Sequence, residues 1–309
     1  MTCSFCFNDN IGKTDDMAVQ DFKKMAGTVA RAGVREIDIL GGEPTLHGNI
    51  VEMVSIASNQ GLKVSLSSNG SNMPVARKLV KAFGDDCILG ISVNQGRVNR
   101  EIGEFLAECR PVVKALYRGK GCFRQQIRSI LRRTHGKFYL IYPDIIAGNR
   151  ADSLPFGEFR ERVFHTKRMI PDVEPVYCSG FLPDSALYPE LSETRCPAGV
   201  TKLGILPDGS VFPCNLFFGM KEFCIGNILT DSFGTIWNSQ KLRFFRRFRE
   251  NHCPVAGCEL HESCHGGCPA HSMKFYGKLD GPDPRCAEQR TQSKVGSLIR
   301  TQKGSPPIL

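Results

Sequence analysis

The sequence lacks the long apolar segments and the leader that would direct it to or through a membrane. No apolar run approaches the length of a membrane span, and no basic segment followed by an apolar stretch opens the chain. The net charge of +9 is moderate, and no recognisable nucleic-acid-binding module accompanies it. We therefore expect a cytoplasmic protein with neither membrane nor nucleic acid as a partner. A basic surface of this size suits an acidic peptide or an acidic electron-donor protein.

Cysteine, by contrast, is abundant, with 14 residues in a chain of 309. A reducing cytosol disfavours a disulfide framework, so metal ligation is the better interpretation of this number. The cysteines are densest between positions 253 and 286. Cys87, Cys109 and Cys122 stand apart and are expected to be small packed side chains.

Hydrophobic periodicity predicts strands alternating with helices over the first 180 residues, which favours an α/β fold with a parallel barrel or sheet. The helix at the start is expected to be capped by Thr14 or Asp15. The segment 118–136 is rich in Arg and Lys and has no assigned role. Beyond about residue 180, frequent Pro, Gly and Cys predict a second domain organised around metals. The predicted strands are 34–40, 63–68, 87–93, 137–142 and 173–178, and the predicted helices are 15–32, 48–60, 74–83, 97–117 and 156–168.

Two short motifs near the N-terminus carry the chemistry. Cys3 and Cys6 are separated by two residues, and Leu40-Gly41-Gly42-Glu43-Pro44 follows a predicted strand. Together they resemble the last two cysteines of the Cys-x3-Cys-x2-Cys loop and the glycine-rich motif of radical S-adenosylmethionine (radical SAM) enzymes. The first cysteine of that triplet would lie two residues before Met1. We therefore expect that the chain as written lacks this cysteine and the strand before it, and that it cannot hold its catalytic cluster properly.

The resemblance implies a cofactor site at this end of the chain. Cys3 and Cys6 would be ligands of a [4Fe–4S] cluster that leaves one iron open for SAM. Phe5 would pack near the adenine. Gly41, Gly42, Glu43 and Pro44 would present backbone groups to the SAM amino group, with glycine allowing the close approach. Polar residues at two further strand ends would reach the SAM ribose and carboxylate, or they are simply turn residues: Ser68, Asn69, Ser92 and Asn94.

The spacing of the C-terminal cysteines is similar to that of the SPASM domain, which binds auxiliary [4Fe–4S] clusters. Twelve residues separate Cys196 from Gly209, and four residues separate Gly209 from Cys214. The loop between Cys253 and Cys258 is larger than the family's usual one. The resemblance implies one cluster held by Cys196, Cys214 and Cys268, and another held by Cys253, Cys258, Cys264 and Cys286. Cys178 or Cys224 would be the fourth ligand of the first set, or that cluster stays open to substrate. Structural zinc is the alternative to an iron–sulfur cluster at either set.

The resemblance implies a partial (β/α)6 TIM-like barrel without its first strand, over residues 1–180. A small cysteine-rich α+β SPASM domain would follow over 190–290, and a tail over 291–309 with a disordered end. The expected function is a radical SAM oxidoreductase or maturase that modifies a peptide or protein, with a flavodoxin- or ferredoxin-type electron donor. Maturation of a small cofactor, such as a modified haem or a quinone, is an alternative. An iron–sulfur electron-transfer protein without radical chemistry is an alternative of another class.

Overall fold

A computed structural model describes residues 6, 11, 14–94, 98–117, 129–130, 137–145, 155–169, 171–255 and 257–286. The expectations for Cys3, Phe5, Cys122, nearly all of the basic segment 118–136 and the tail 291–309 lie outside these residues. All structural statements below refer to the described part of the chain.

One parallel sheet of six strands organises the first 180 residues, with the strands in sequence order across the sheet. Each consecutive pair is parallel and hydrogen-bonded. Helices occupy most of the connections, as parallel crossovers require. This confirms the α/β class and the partial barrel. The strands are β1 (Glu36–Ile39), β2 (Lys63–Ser68), β3 (Cys87–Ser92), β4 (Val112–Leu116), β5 (Phe138–Ile141) and β6 (Val173–Val176), and the helices are α1 (Val19–Arg31), α2 (Ile50–Asn59), α3 (Met73–Phe83), α4 (Arg100–Cys109) and α5 (Phe156–Met169).

The two faces of the sheet differ sharply in polarity. The helix-facing positions of the central strands, such as Leu66, Ile91 and Leu140, are fully buried in the apolar core. The alternate positions, which point to the opposite face, include charged and polar side chains among apolar ones such as Ile88 and Ile141. Asp38 pairs with Ser65 in the β1–β2 register, and Lys114 pairs with Ser92 and Tyr139. The inner face of the partial barrel therefore offers charged and polar groups to a ligand.

The sequence prediction was wrong at two places in this domain. The single helix expected over 97–117 is helix α4 followed by strand β4, because Arg110 adopts a left-handed φ of 47°. Pro111 then offers no backbone N–H to continue a helix. Helix α1 begins at Val19 with Ala18 as its N-cap and no side-chain cap, so the expected caps Thr14 and Asp15 lie outside it.

The C-terminal part contains a small antiparallel sheet and short helices. Strands β7 (Gly204–Ile205), β8 (Ser210–Phe212) and β9 (Gly226–Asn227) pair in that order. Helices α6 (Phe233–Trp237) and α7 (Pro269–Tyr276) follow. The β7–β8 hairpin turns at Gly209, whose φ of +83° favours glycine. The hairpin therefore brings the segments that carry Cys196 and Cys214 back together. Across the described ranges, no helix combines the length and apolarity needed to cross a bilayer.

Candidate functional site

The glycine-rich loop lies at the carboxyl end of β1, on the edge where parallel barrels place their active sites. Gly41 and Gly42 are both exposed. A Cβ atom built on either residue would meet nothing within 4 Å, so the backbone here borders open space. Cys6, the one described cysteine of the N-terminal pair, is half-buried. The loop therefore offers the accessible backbone that close approach of a cofactor needs.

The carboxylate of Glu43 is engaged within the protein. Its Oε1 accepts hydrogen bonds from the Ser68 hydroxyl at 2.7 Å and from the Thr45 hydroxyl at 2.6 Å. Its Oε2 accepts one from the backbone N–H of Asn69 at 2.6 Å, and the Thr45 N–H donates to Oε1 at 3.1 Å. Glu43 thus ties the loop after β1 to the end of β2. Ser68 is 1% exposed, so its hydroxyl serves this brace and the turn at Gly70.

The other strand-end residues also make contacts within the protein. The side-chain oxygen of Asn94 accepts a hydrogen bond from the Leu116 N–H at 3.2 Å, which joins the ends of β3 and β4. The side-chain oxygen of Asn69 accepts a 2.8 Å bond from the Ser71 N–H. Ser92 is half-buried at the end of β3, beside Lys114 in the register. Such hydrogen bonds are typical of turns and strand ends. All four polar residues lie at the same edge of the sheet as the glycine-rich loop.

Sequence reasoning missed two charged residues on the inner face. Lys114 donates a 2.8 Å hydrogen bond to the Ser67 hydroxyl and lies across Gly90, where a Cβ would collide with its side chain. Burial raises the pKa of Asp38, and the positive charge of Lys114 opposes that rise. Alternation of apolar and charged residues in the sequence could have predicted them, because each charged residue lies between two apolar residues of its strand.

Four cysteines from distant parts of the chain meet in the C-terminal region. Cys196, Cys214 and Cys268 are almost completely buried, and Cys178 joins them from the segment after β6. The hydrogen bond between the thiols of Cys178 and Cys268 lowers the pKa of Cys178 to about 7. Burial raises the pKa of Cys196, and the negative charges of Cys178 and Cys214 raise it further. This mutual influence places all four sulfur atoms in one neighbourhood.

Several of these sulfur atoms share one local motif, a backbone N–H donated from two residues further along the chain. Gly180 donates to Cys178, Ala198 to Cys196 and Leu216 to Cys214, and each bond favours the thiolate. Gly266 donates to the Cys264 sulfur at 3.2 Å. Such N–H···S bonds suit thiolates that ligate a metal cluster, whose electronic properties they tune. The donor set therefore fits an iron–sulfur group.

A close backbone contact brings the Cys178 and Cys268 loops together. The Gly267 N–H donates a hydrogen bond to the Gly180 carbonyl at 2.9 Å. A Cβ atom built on Gly180 would collide with the carbonyl oxygen of Gly267, so only glycine allows this contact.

Lys202 lies near the four thiols as well. Desolvation lowers the pKa of its ammonium, but the negative charges of Cys214, Cys178 and Cys196 outweigh this and raise it.

The second predicted cysteine set is brought together in part. Cys253 and Cys264 are close enough for the charge of Cys253 to raise the pKa of Cys264, which burial already raises, to about 11. Cys258 and Cys286 are half-buried in the same segment. The Cys224 thiol faces the Gly226 carbonyl at 3.5 Å, and in the described structure its charge is not among those that shift the pKa values of the four thiols. Within the described residues, no three His, Cys, Asp or Glu side chains converge closely enough to hold a metal ion as they stand.

A buried ion pair fixes the loop that carries Cys268 and Cys286. Arg285 binds both carboxylate oxygens of Asp283 at 2.9 Å, and Asp283 accepts the Cys268 N–H at 2.8 Å. Arg285 also donates to the Pro143 carbonyl at 3.1 Å, just after β5. One guanidinium therefore connects the cysteine-bearing loop to the carboxyl end of a barrel strand.

Two family profiles match the chain. The profile of the radical SAM superfamily matches residues 1–133, and that of SPASM, an iron–sulfur cluster-binding domain, matches residues 196–269. The first covers the glycine-rich loop and its brace. The second covers Cys196, Cys214 and Cys268.

Curated relatives match over most of the chain. It is 27% identical to the antilisterial bacteriocin subtilosin biosynthesis protein AlbA of Bacillus subtilis, over 90% of this chain and 67% of that protein. It is 26% identical to the mycofactocin maturase MftC of Mycolicibacterium smegmatis, over 93% of this chain and 80% of that protein. Among solved structures, Streptococcus suis SuiB bound to S-adenosylmethionine shares the fold with a TM-score of 0.70 at 18% identity, over 92% of this chain and 74% of SuiB. Another SuiB structure contains the precursor peptide SuiA.

Proposed function

The chain belongs to the radical SAM superfamily and carries a SPASM domain, and on this premise we propose that it is an enzyme that modifies a peptide or protein substrate. One observation carries the proposal. The chain combines an accessible glycine-rich loop, which Glu43 holds at the carboxyl edge of the barrel, with a group of buried cysteines. AlbA is named as a bacteriocin biosynthesis protein and MftC as a maturase, and SuiB has been solved with its precursor peptide, which supports a peptide as substrate class. A flavodoxin- or ferredoxin-type protein would supply the electrons.

The residues at the barrel edge would bind and orient SAM. Gly41 and Gly42 offer backbone groups to it, and Glu43 holds that backbone by anchoring to Ser68 and Asn69. A reduced [4Fe–4S] cluster held there would supply the electron for reductive cleavage of SAM, and so the means to remove a hydrogen atom from the substrate. Cys6 would be one of the cluster ligands. Lys114 and Asp38, on the inner face, would then contact polar groups of the bound molecules.

The cysteines of the C-terminal region would hold auxiliary clusters. Cys178 would complete the set that includes Cys196, Cys214 and Cys268, and the hydrogen bond of its thiol to Cys268 supports this. Cys253, Cys258, Cys264 and Cys286 would form the second set. Backbone N–H groups stabilise the thiolates, and Asp283 fixes the Cys268 backbone. The exclusion of water by the surrounding apolar side chains protects such clusters from side reactions.

The test uses the full gene product, purified and reconstituted with iron and sulfide. With dithionite and SAM, we expect production of 5′-deoxyadenosine, measured by mass spectrometry, and its loss in Cys6→Ala. Cys109→Ala is the matched control, because Cys109 is half-buried at the end of α4, far along the chain from the cysteine sets. Iron–sulfur content without any SAM cleavage would instead identify an electron-transfer protein.

A further inference from the structure

A second polar site lies in the C-terminal part, apart from the barrel edge. It is a surface pocket of about 380 Å³ between the end of α6 and the stretch that follows it. We call it the arginine pocket. Its lining residues are Asn238, Ser239, Gln240, Arg243, Arg246 and Arg247.

The arginines of this pocket are held on a rigid support. Leu242 and Phe245 alternate with them in sequence and are fully buried, so they anchor the stretch in the core. Arg246 donates from Nε to the Gly199 carbonyl at 2.9 Å, and its guanidinium lies 4.5 Å from the centre of the Trp237 ring. Stacking and anchoring of this kind reduce the entropy that an arginine loses on binding a ligand.

Among the described residues, no carboxylate balances the positive charge of the arginine pocket. In the ranges that the structure covers, none of Arg243, Arg246 and Arg247 forms an ion pair with Asp or Glu. The buried Nη2 of Arg246 finds no hydrogen-bond acceptor there. Three guanidinium groups within five residues repel one another, and an anion bound among them relieves that repulsion.

We propose that the arginine pocket binds the carboxylate side chains of an acidic segment of the peptide that the enzyme modifies. Guanidinium groups pair with carboxylates through two parallel hydrogen bonds, which gives such a contact strength and direction. The amides of Asn238 and Gln240 can bond both the N–H and the C=O of a peptide backbone, which a simple anion site would not need. The chain's net charge of +9 favours an acidic partner. This inference rests on the proposed function, because the acidic segment would belong to the same peptide that the enzyme modifies.

The experiment measures the affinity of the reconstituted full-length protein for a fluorescein-labelled hexaglutamate peptide by fluorescence anisotropy. Hexaglutamine with the same label is the neutral control. We expect hexaglutamate alone to bind, with an affinity that falls as salt is added. In Arg243→Gln/Arg247→Gln the Kd should rise about tenfold. The matched control, Arg249→Gln, removes an exposed arginine of the same stretch that does not line the pocket, and should change the Kd by less than about twofold.

Three results would overturn the proposal. The first is equal binding of hexaglutamate and hexaglutamine, and the second is equal affinity of the double variant and the wild type for hexaglutamate. The third is displacement of labelled hexaglutamate by inorganic phosphate at a lower concentration than unlabelled hexaglutamate requires. Should the double variant fail to fold, the single charge reversal Arg247→Glu tests the same contact at an exposed position. Peptide-independent SAM cleavage should be unchanged in these variants. Unchanged peptide affinity in the variants, with SAM cleavage intact, therefore refutes the pocket alone, whereas absence of SAM cleavage in the wild type refutes the proposed function.

Discussion

The hydroxyl of Ser68 donates a 2.7 Å hydrogen bond to the carboxylate of Glu43 and so joins the ends of two neighbouring parallel strands. Ser68 is 1% exposed and Glu43 is half-buried, so the bond is partly shielded from water. Through it, the shape of the glycine-rich loop depends on β2 as well as on its own sequence. We therefore expect Glu43 to affect a bound cofactor only through the backbone that it holds.

Glu43→Gln should weaken SAM binding without touching SAM directly. Glutamine offers one carbonyl oxygen where the carboxylate accepts four hydrogen bonds, so at least one buried donor loses its acceptor. We expect a loss of about 1–3 kcal/mol in the free energy of unfolding and a roughly tenfold rise in the Kd for SAM, which equilibrium dialysis measures. Glu52→Gln, on α2, removes a carboxylate with one exposed 3.3 Å bond and should leave both quantities unchanged. Unchanged SAM affinity in Glu43→Gln would contradict the role of the brace.

Cys178→Ser and Cys224→Ser should separate the two candidates for the fourth ligand of the first auxiliary cluster. The Cys178 thiol hydrogen-bonds Cys268, whereas the Cys224 thiol faces the Gly226 carbonyl. Cys178→Ser should change the electron paramagnetic resonance spectrum of the reduced protein and lower its iron content. Cys224→Ser should match the wild type in both measurements. The reverse pattern would assign the ligand to Cys224, and no change in either variant would leave the site open to substrate.

Asp283→Asn should destabilise the chain strongly, because it removes one partner of a buried ion pair. We expect a cost of about 3–5 kcal/mol in the free energy of unfolding at pH 7, measured by urea titration. Burial raises the pKa of Asp283, but the charge and hydrogen bonds of Arg285, together with the nearby His271, outweigh burial and hold that pKa far below its usual range. A lowered folded-state pKa stabilises the protein above the unfolded pKa of about 3.9, and this contribution is lost as the pH falls below it.

The effect of Asp283→Asn on the free energy of unfolding should also depend on pH. The difference between the wild type and Asp283→Asn should stay constant above about pH 5 and shrink below about pH 4. Glu104→Gln breaks an exposed 2.8 Å pair with Arg100 and should cost less than about 0.5 kcal/mol. Equal costs for the two substitutions would show that the buried pair contributes no more than a surface one.

Lys202→Gln should lower the reduction potential of the first auxiliary cluster. The ammonium stabilises negative charge on Cys178, Cys196 and Cys214, and a reduced cluster carries one more negative charge than an oxidised one. A redox titration followed by electron paramagnetic resonance measures the shift. Lys221→Gln is the control, since Lys221 lies in a short 3-10 helix and is not among the charges that act on these thiols. An unchanged potential in Lys202→Gln would place its ammonium too far from the cluster to matter.

Local patterns predicted much of the barrel domain. The strand over residues 63–68 and the buried face of α1, formed by Phe22, Met25 and Val29, lie where periodicity placed them. Strand β4 was missed because its five residues follow α4 after only Arg110 and Pro111, and the apolar pattern of the helix continues into it. Arg110 does not signal a left-handed turn as glycine would.

The sequence by itself determined the α/β alternation, the glycine-rich loop and the cysteines that could bind clusters. These features depend on residue spacing over short stretches, where the repeat of a helix or strand and the chemistry of a motif can be read directly. The tertiary structure alone decided that Cys178 rather than Cys224 meets Cys268, and that the Glu43 carboxylate serves as a brace. The physical reason is distance along the chain: residues 90 or 25 positions apart come together only when the whole domain packs.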